Sequence, residues 1–435
     1  MEIYNLVSFV GIWGLLLLAW AFSTNRTVIN WRVIGWGLLL QAGFALFIFV
    51  VPAGASFGLL INSLVVKVLE SATAGSQFLF GRLALPPGTT NTQGETSLGF
   101  FLAFQALPTV VFFAALMQAL YYLRIMPWII RAFASVFTRF LRISGAESLC
   151  AASNIFVGIE AALTIRPYLP TLTRSELCTI LTAGMATIAS SVMALYVFIL
   201  QPQFPLIAGH LVSASLLSAP AAIIMAKLLV PETETPVTLG VNITPCYERE
   251  GSLTEAIIQG ANAGLRLVAG IVALLLAFLG LIALLDLLIG VPGTWINQML
   301  GVEIDWSLRG LLGYLFYPLT LLVGVPPADA LEIARIIGER AVATEVQGYQ
   351  DLSRLLAAGL LQHPRSAVIG VYALTGFAHV ASLAIFVGGI AALAPSRTKD
   401  LAALGPRALL AATLACLLTA AVAGTFFQNT SLLFP

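Results

Sequence analysis

The sequence predicts an all-α polytopic membrane protein: about eight transmembrane helices plus two re-entrant helical hairpins in an inverted repeat, with an interfacial helix. The first reason is composition. The chain is 59% hydrophobic and 9% charged, with mean hydropathy +0.96, where a soluble domain carries about 25% charge. The second is that apolar runs of spanning length recur along it. The third is a frame, Gly-x-Ala-x-β-branched-Ala-Ser, that occurs at 184–190 and again at 376–382. Each copy follows a glutamate at membrane depth, Glu160 or Glu345. Small and hydroxyl-bearing residues in mid-span make poor lipid-facing helix and suit a helix that breaks where it lines a cavity. Paired interruptions in the two halves of a membrane chain point to a secondary transporter with its site at the repeat interface.

The first apolar run, 5–22, lacks the basic start of a signal peptide. Arg26 and Arg32 follow it, which predicts an uncleaved helix with its N-terminus outside. Further spans are expected near 33–52, 99–122, 176–200, 207–230, 265–289, 367–393 and 407–427, leaving both termini on the outer, periplasmic side. The inner loops then hold Arg26, Arg32, Arg124, Arg131, Arg139, Arg142, Arg166, Arg174, Lys227, Arg249, Arg397, Lys399 and Arg407, as the positive-inside rule requires. Residues 55–81 mix apolar side chains with Asn62, Lys67, Glu70 and Ser71 and read as the interfacial helix. Residues 84–98, with Pro86-Pro87-Gly88, are a polar loop, and the Pro-, Thr- and Glu-rich 231–254 is an inner linker. The resulting division is 1–142, scaffold spans and interfacial helix; 143–230, first hairpin and transport repeat; 231–308, inner linker and scaffold span; 309–435, second hairpin and transport repeat.

The hairpins are recognised by length and caps. Ser144-Gly145-Ala146-Glu147 has capping-box spacing and opens a run that reaches only to Val157. Such a run covers roughly 21 Å at 1.5 Å per residue, too short for a hydrocarbon core of about 30 Å. The chain turns at Gly158 and returns through Arg166-Pro167-Tyr168, and Thr173-Arg174-Ser175-Glu176 caps the next span. The matching unit runs from Pro326-Pro327-Ala328-Asp329 to Val342, turns near Thr344 and returns through Gln347 to Leu355. Non-helical backbone at such depth is tolerated only inside protein or against water.

Glu160 and Glu345 sit near these turns. A carboxylate at the bilayer centre costs about 2.5–3.5 kcal/mol or more, so it faces a cavity or a partner: either it hydrogen-bonds a polar solute, or it caps a helix or snorkels outward. Asn154 and Thr187 offer side-chain oxygens, and Val157 and Ile188 flank the breaks. Freed carbonyls with an amide and a hydroxyl suit Na+; the same residues also suit plain helix–helix packing. His379 lies within a span and serves either a ligand, a proton (making H+ the alternative coupling ion) or a neighbouring carbonyl. His210 and His363 read as interfacial. Phe377 either stacks on a planar ligand or packs.

Other functions are disfavoured. A net charge of +1 gives no footprint for nucleic acid. Cys150, Cys178, Cys246 and Cys416 are scattered, with no CxxC pair. Gly54-Ala55-Ser56-Phe57-Gly58 matches G-x-S-x-G but follows a helix and lacks a His/Asp partner. No Walker loop or dinucleotide fingerprint occurs. The chain therefore reads as no enzyme and as needing no cofactor beyond a coupling ion.

At these residues the chain resembles the concentrative nucleoside transporter family. The similarity covers Gln105 to Tyr122 with Leu107-Pro108, Gly145-Ala146-Glu147-Ser148 through Gly158, Glu160 through Leu169, Thr173 to Leu177, Gly184 to Tyr196, Gly324-Val325-Pro326, Tyr372 to Ser382 and Gly388 to Pro395. The resemblance implies a homotrimer of cation-coupled symporters in the inner membrane's lipid bilayer, scaffolded by the first three spans and the sixth. It implies that Glu160 and Glu345 bind nucleoside base and ribose, that Val192 and Phe377 line the pocket, and that Asn154, Val157, Thr187 and Ile188 hold Na+. Ser382 is retained from the family's pattern beside His379, which replaces an Asn that looks like a ribose ligand. The family commonly has Gly-Gln-Thr-Glu at the first tip, where this chain has the shorter Gly158-Ile159-Glu160. The second tip, usually Asn-Glu-Phe-Val-Ala, is Thr344-Glu345-Val346-Gln347-Gly348. Each lost buried partner costs about 1–3 kcal/mol unless replaced; either Gln347 or His379 compensates, or the ligand differs. The reading is a sodium-coupled nucleoside symporter with an altered pocket. The alternative is a substrate-shifted or non-transporting member that acts in binding or assembly.

Overall fold

The computed structural model describes residues 3–91, 94–246 and 250–428. Among them all regular structure is helical, apart from the isolated bridges Thr90–Thr96 and Ser144–Leu239. Eight helices are long and apolar enough to cross a membrane, so the chain is a multi-pass membrane protein. Of the charges assigned to inner loops, Arg249 lies outside the described residues.

Burial sorts the spans. Ile207–Leu229 is the centre, with almost every residue buried, and it packs on Trp31–Phe49, Arg174–Ala186 and Thr398–Phe426. Leu253–Leu300 lies at the other extreme and exposes Leu276, Leu281, Leu284, Leu287 and Leu288, a surface for lipid rather than water. This helix is 48 residues long, about 72 Å at 1.5 Å per residue, whereas the hydropathy pattern marks only 265–289. Ser252 accepts from the Glu255 N–H at its start and Gly301 closes it in the left-handed region. The polar flanks between these caps are helix-compatible without being apolar, so hydropathy sees the middle and propensity decides the ends.

Gly260 and Gly264, one helical turn apart, let this long helix approach Leu107–Tyr122 closely. A Cβ on Gly260 would stand 2.7 Å from the Ala114 carbonyl oxygen, and one on Gly264 would stand 2.8 Å from Val111 Cα. Small residues at such crossings replace the hydrophobic driving force that lipid cannot supply. Gly264→Val is expected to pry the two helices apart and lower the thermal midpoint in detergent, while Gly270→Val, which meets open space, leaves it almost unchanged. Equal midpoints for the two variants would remove this contact from the account.

Several elements depart from the sequence expectation. Ile125–Leu141 is an amphipathic helix bounded by Arg124 and Arg142 at φ 63° and 51°; its basic residues mask it as a loop. Pro52–Phe80 forms the helix expected at the interface, and its most apolar stretch is hydrophobic enough, by length and composition, to cross a membrane. Leu308–Leu322 is an additional helix that packs against the second hairpin. His210 is not interfacial: it is wholly buried, with its ring against Phe49, Phe204 and Tyr372. Three aromatic neighbours and the Tyr372 hydroxyl 3.4 Å away let the imidazole sit at the core. His363, half exposed beside Asp329, stays at the surface.

Both repeats have the expected parts. Gly145–Asn154, a tip at 155–158 and the 3-10 helix Ile159–Thr171 make the first hairpin. Pro167 and Pro170 lie inside the returning limb, where missing N–H donors disfavour α-helix. Both capping boxes form: Ser144 with Glu147, and Thr173 with Glu176. Buried Lys227 ties them together, pairing with Glu147 at 2.5 Å and Glu232 at 3.1 Å and donating to Ser175 Oγ at 3.0 Å. The second hairpin is Pro327–Arg340, a tip at 341–344 and Glu345–Ala357. Each hairpin precedes a broken span: Arg174–Ala186 with Ser190–Leu200, and Pro364–Leu374 with Val380–Leu393.

Candidate functional site

The two breaks meet. Gly376 holds φ at +109°, and a Cβ there would stand 2.7 Å from the Ala186 carbonyl carbon and oxygen. Only a residue without a side chain lets the second break press against the carbonyl end of the first half-helix. The Gly-x-Ala frame is thus not one device used twice in register: Gly184 lies inside a helix, whereas Gly376 lies in the gap. The structural mate of Thr187 is Thr375, not His379. Both threonines directly follow a first half-helix and bond back to the carbonyl four residues earlier, Ala183 at 2.8 Å and Val371 at 3.1 Å. The repeat is real in three dimensions, but the sequence frame is displaced from it by one helical turn.

Next to this contact lies a cavity of about 960 Å³, at the upper end of the range for small-molecule sites. Glu160, Val192, Glu345, Phe377, His379 and Ser382 all line it, as does Val157. They come from the tip and returning limb of the first hairpin, the second half of one broken span, the returning helix of the second hairpin, and the gap and second half of the other broken span. Asn154, Thr187 and Ile188 lie outside its lining and are buried. Arg124, Arg131, Arg166 and Arg266 line the same cavity.

Glu345 is the most constrained of these groups. It is 4% exposed and is the first residue of its helix, where the macrodipole favours a carboxylate. Its Oε1 accepts from the Tyr196 hydroxyl at 2.6 Å. His379 Nε2 approaches Oε2 at 3.0 Å, so the imidazole faces the second carboxylate oxygen. His379 Nδ1 accepts from the Ser382 N–H at 3.3 Å, which leaves the ring hydrogen on Nε2, facing Glu345 and Ser382 Oγ at 2.7 Å. Glu160, by contrast, is exposed to the cavity.

Sequence reasoning missed Tyr196 as a functional group. It stands one turn beyond Val192 on the same helix face and stacks on Tyr349 with centroids 4.4 Å apart. The available signal was a tyrosine inside an apolar span, whose hydroxyl demands a partner when buried. Gln347 does not replace the lost tip residues. It donates to Asp351 at 3.2 Å and lines no part of the cavity, because the helix that begins at Glu345 turns its third residue away. His379 faces the pocket.

Asn154 donates through Nδ2 to the Cys150 carbonyl at 3.0 Å, while its buried Oδ1 has no partner. A buried acceptor without a donor is costly, and its character suits a hard cation.

The comparisons with known proteins agree along the whole chain. Residues 10–83 and 210–424 match the N-terminal and C-terminal models of the Na+ dependent nucleoside transporters, and residues 103–203 match the model for nucleoside recognition. The nucleoside permease NupC of Helicobacter pylori is 35% identical over 426 residues, covering 97% of this chain and 98% of the permease. Solute carrier family 28 member 3 of Mus musculus is 38% identical over 434 residues; the match covers 97% of this chain but only 58% of the mouse protein. The structure of CNTnw in an inward-facing substrate-bound state is similar with a TM-score of 0.86 at 34% identity, covering 97% of this chain and 98% of that one. An outward-facing structure of substituted CNTnw is also similar, at 0.86 and 33%, with 98% of each chain covered. The chain belongs to the family of Na+-dependent, concentrative nucleoside transporters.

Proposed function

We propose that the chain is a secondary active symporter of the inner membrane that moves a nucleoside or related polar solute together with Na+ by alternating access. The observation that carries this reading is the convergence of Glu160, Glu345 and both broken spans on one cavity, with Glu345 buried beside the Tyr196 hydroxyl and His379 Nε2. An intramembrane carboxylate in that state suits a solute hydroxyl or amine. Glu160, His379 and Ser382 supply further polar contacts, while Val192 and Phe377 supply apolar walls for a planar base. The shortened first tip widens the range of solutes, so a purine- or pyrimidine-like ligand with altered ribose contacts fits best.

Na+ is assigned to Asn154, Val157, Thr187 and Ile188. Unpartnered Asn154 Oδ1 and the carbonyl end of the half-helix offer oxygen ligands of the kind that broken transporter helices present to Na+. Solute and ion then stabilise each other's binding, since coupling is reciprocal. The chain works as a homotrimer, with the exposed apolar face of Leu253–Leu300 divided between lipid and neighbouring protomers, and both termini on the outer side.

Uptake of labelled nucleosides and bases into proteoliposomes, with and without a Na+ gradient, tests the proposal. Asn154→Ala is expected to weaken Na+ activation by roughly 5- to 150-fold, the equivalent of about 1–3 kcal/mol for one charge-assisted contact. Undiminished Na+ activation in that variant would release Asn154 from the site. Uptake driven equally well by a proton gradient in Na+-free medium would transfer coupling to H+ and His379. No uptake of any solute, combined with Na+-independent thermal stability, would favour the binding or assembly alternative.

A further inference from the structure

The two helix breaks are built alike but charged differently. In each, a threonine follows the first half-helix and bonds back to it. In each, the first N–H of the second half-helix bonds to the tip of its own hairpin: Ser190 to the Phe156 carbonyl at 2.9 Å and Val380 to the Ala341 carbonyl at 3.2 Å. The last residue of the hairpin's first helix is Asn154 in one repeat and Arg340 in the other. The proposed Na+ ligands Asn154 and Thr187 therefore have Arg340 and Thr375 as their mates.

Arg340 is fully buried. Its Nη1 donates at 3.0 Å to the Ala373 carbonyl in the last turn of Pro364–Leu374; Nε and Nη2 are buried without an aligned hydrogen bond, with the Cys416 thiol as a polar neighbour. It does not border the cavity, so it is no part of the solute pocket described above. Among the described residues no carboxylate pairs with it; burying a guanidinium in that state is expensive, and something must offset that cost. The offset at hand is the carbonyl end of a half-helix, which carries partial negative charge. In the first repeat the equivalent end faces the proposed Na+ site.

We infer that Arg340 is a built-in cation standing where the second repeat would otherwise bind a coupling ion. Its charge is permanent and covalently fixed, so it neutralises the second break without being exchanged. Transport is then coupled to one Na+ per solute, although the fold offers two pseudo-equivalent places. This rests on the Na+ reading of the Asn154 break.

The test counts ions. Radioactive Na+ and solute fluxes are measured together in proteoliposomes, and bound Na+ is measured at saturation on the purified full-length protein. One ion per solute and per chain is expected, with a Hill coefficient for Na+ near one. Arg340→Asn places the first repeat's side chain in the second, and is expected to bind a second ion and raise the Hill coefficient toward two. Arg340→Lys retains the charge and stays near one. A purely structural arginine would alter stability without moving the ion count. Two ions per wild-type chain, or a folded Arg340→Asn variant with an unchanged Na+ curve, would overturn the inference. Should Arg340→Asn fail to fold, the wild-type count decides: one supports the inference and two ends it. No bound Na+ at all would instead sink the Na+ reading on which it rests. Absence of solute uptake would sink the transport reading while leaving the ion count readable.

Discussion

Glu345→Gln is expected to lower nucleoside uptake efficiency by about 10- to 100-fold, the effect of losing one hydrogen bond to a charged acceptor, about 1.5–3 kcal/mol. The geometry explains why the change is severe despite the shared shape. Tyr196 donates to Oε1 at 2.6 Å, and the amide oxygen of Gln keeps that bond. The new amide NH2 then stands where Oε2 was, facing the Nε2 hydrogen of His379. Donor opposes donor, and a solute hydroxyl finds no acceptor. Because the Tyr196 bond and the helix start survive, the thermal midpoint in detergent should move far less than uptake does. Glu160→Gln is expected to act in the same direction but more weakly, because Glu160 is already exposed to the cavity. Uptake by Glu345→Gln within twofold of the parent protein would take this carboxylate out of the solute site.

Gly376→Ala is expected to damage both the fold and transport. Placing alanine at φ +109° costs about 1–3 kcal/mol from the backbone alone. Its Cβ would also stand 2.7 Å from the Ala186 carbonyl, a distance that real packing does not accept. The second break would have to withdraw from the first, and with it the segment that carries Phe377 and His379. Both the thermal midpoint and uptake should fall. Gly388→Ala is the control: it lies in Val380–Leu393, and an added Cβ meets nothing within 4 Å. Alanine there should be neutral or slightly stabilising. If Gly376→Ala transports as well as Gly388→Ala, the crossing of the two breaks is not needed for the site.

Local chemistry was legible without a structure. Composition and apolar runs gave a polytopic helical membrane protein. The capping boxes at Ser144 and Thr173 gave the starts of the first hairpin and the first broken span, because a cap satisfies backbone donors within three residues. Intramembrane glutamates and interrupted spans marked Glu160, Glu345, His379 and Ser382, because polar groups in oil need a reason to be there. Helix ends in polar flanks were less legible, as Leu253–Leu300 shows, since hydropathy measures what oil accepts rather than what a helix can hold.

The sequence by itself determined the helical, multi-pass class, the two helix caps at Ser144 and Thr173 and the positions where helices break, all consequences of backbone satisfaction and solvent transfer that act over a few residues. Only the tertiary structure decided which distant groups touch. It paired Tyr196 with Glu345, turned Gln347 away, buried His210, and made Thr375 and Arg340 the counterparts of Thr187 and Asn154 in the second repeat. Those pairings depend on how helices far apart in the chain cross, and the crossing is set by packing of small residues such as Gly260, Gly264 and Gly376, whose partners no local pattern names.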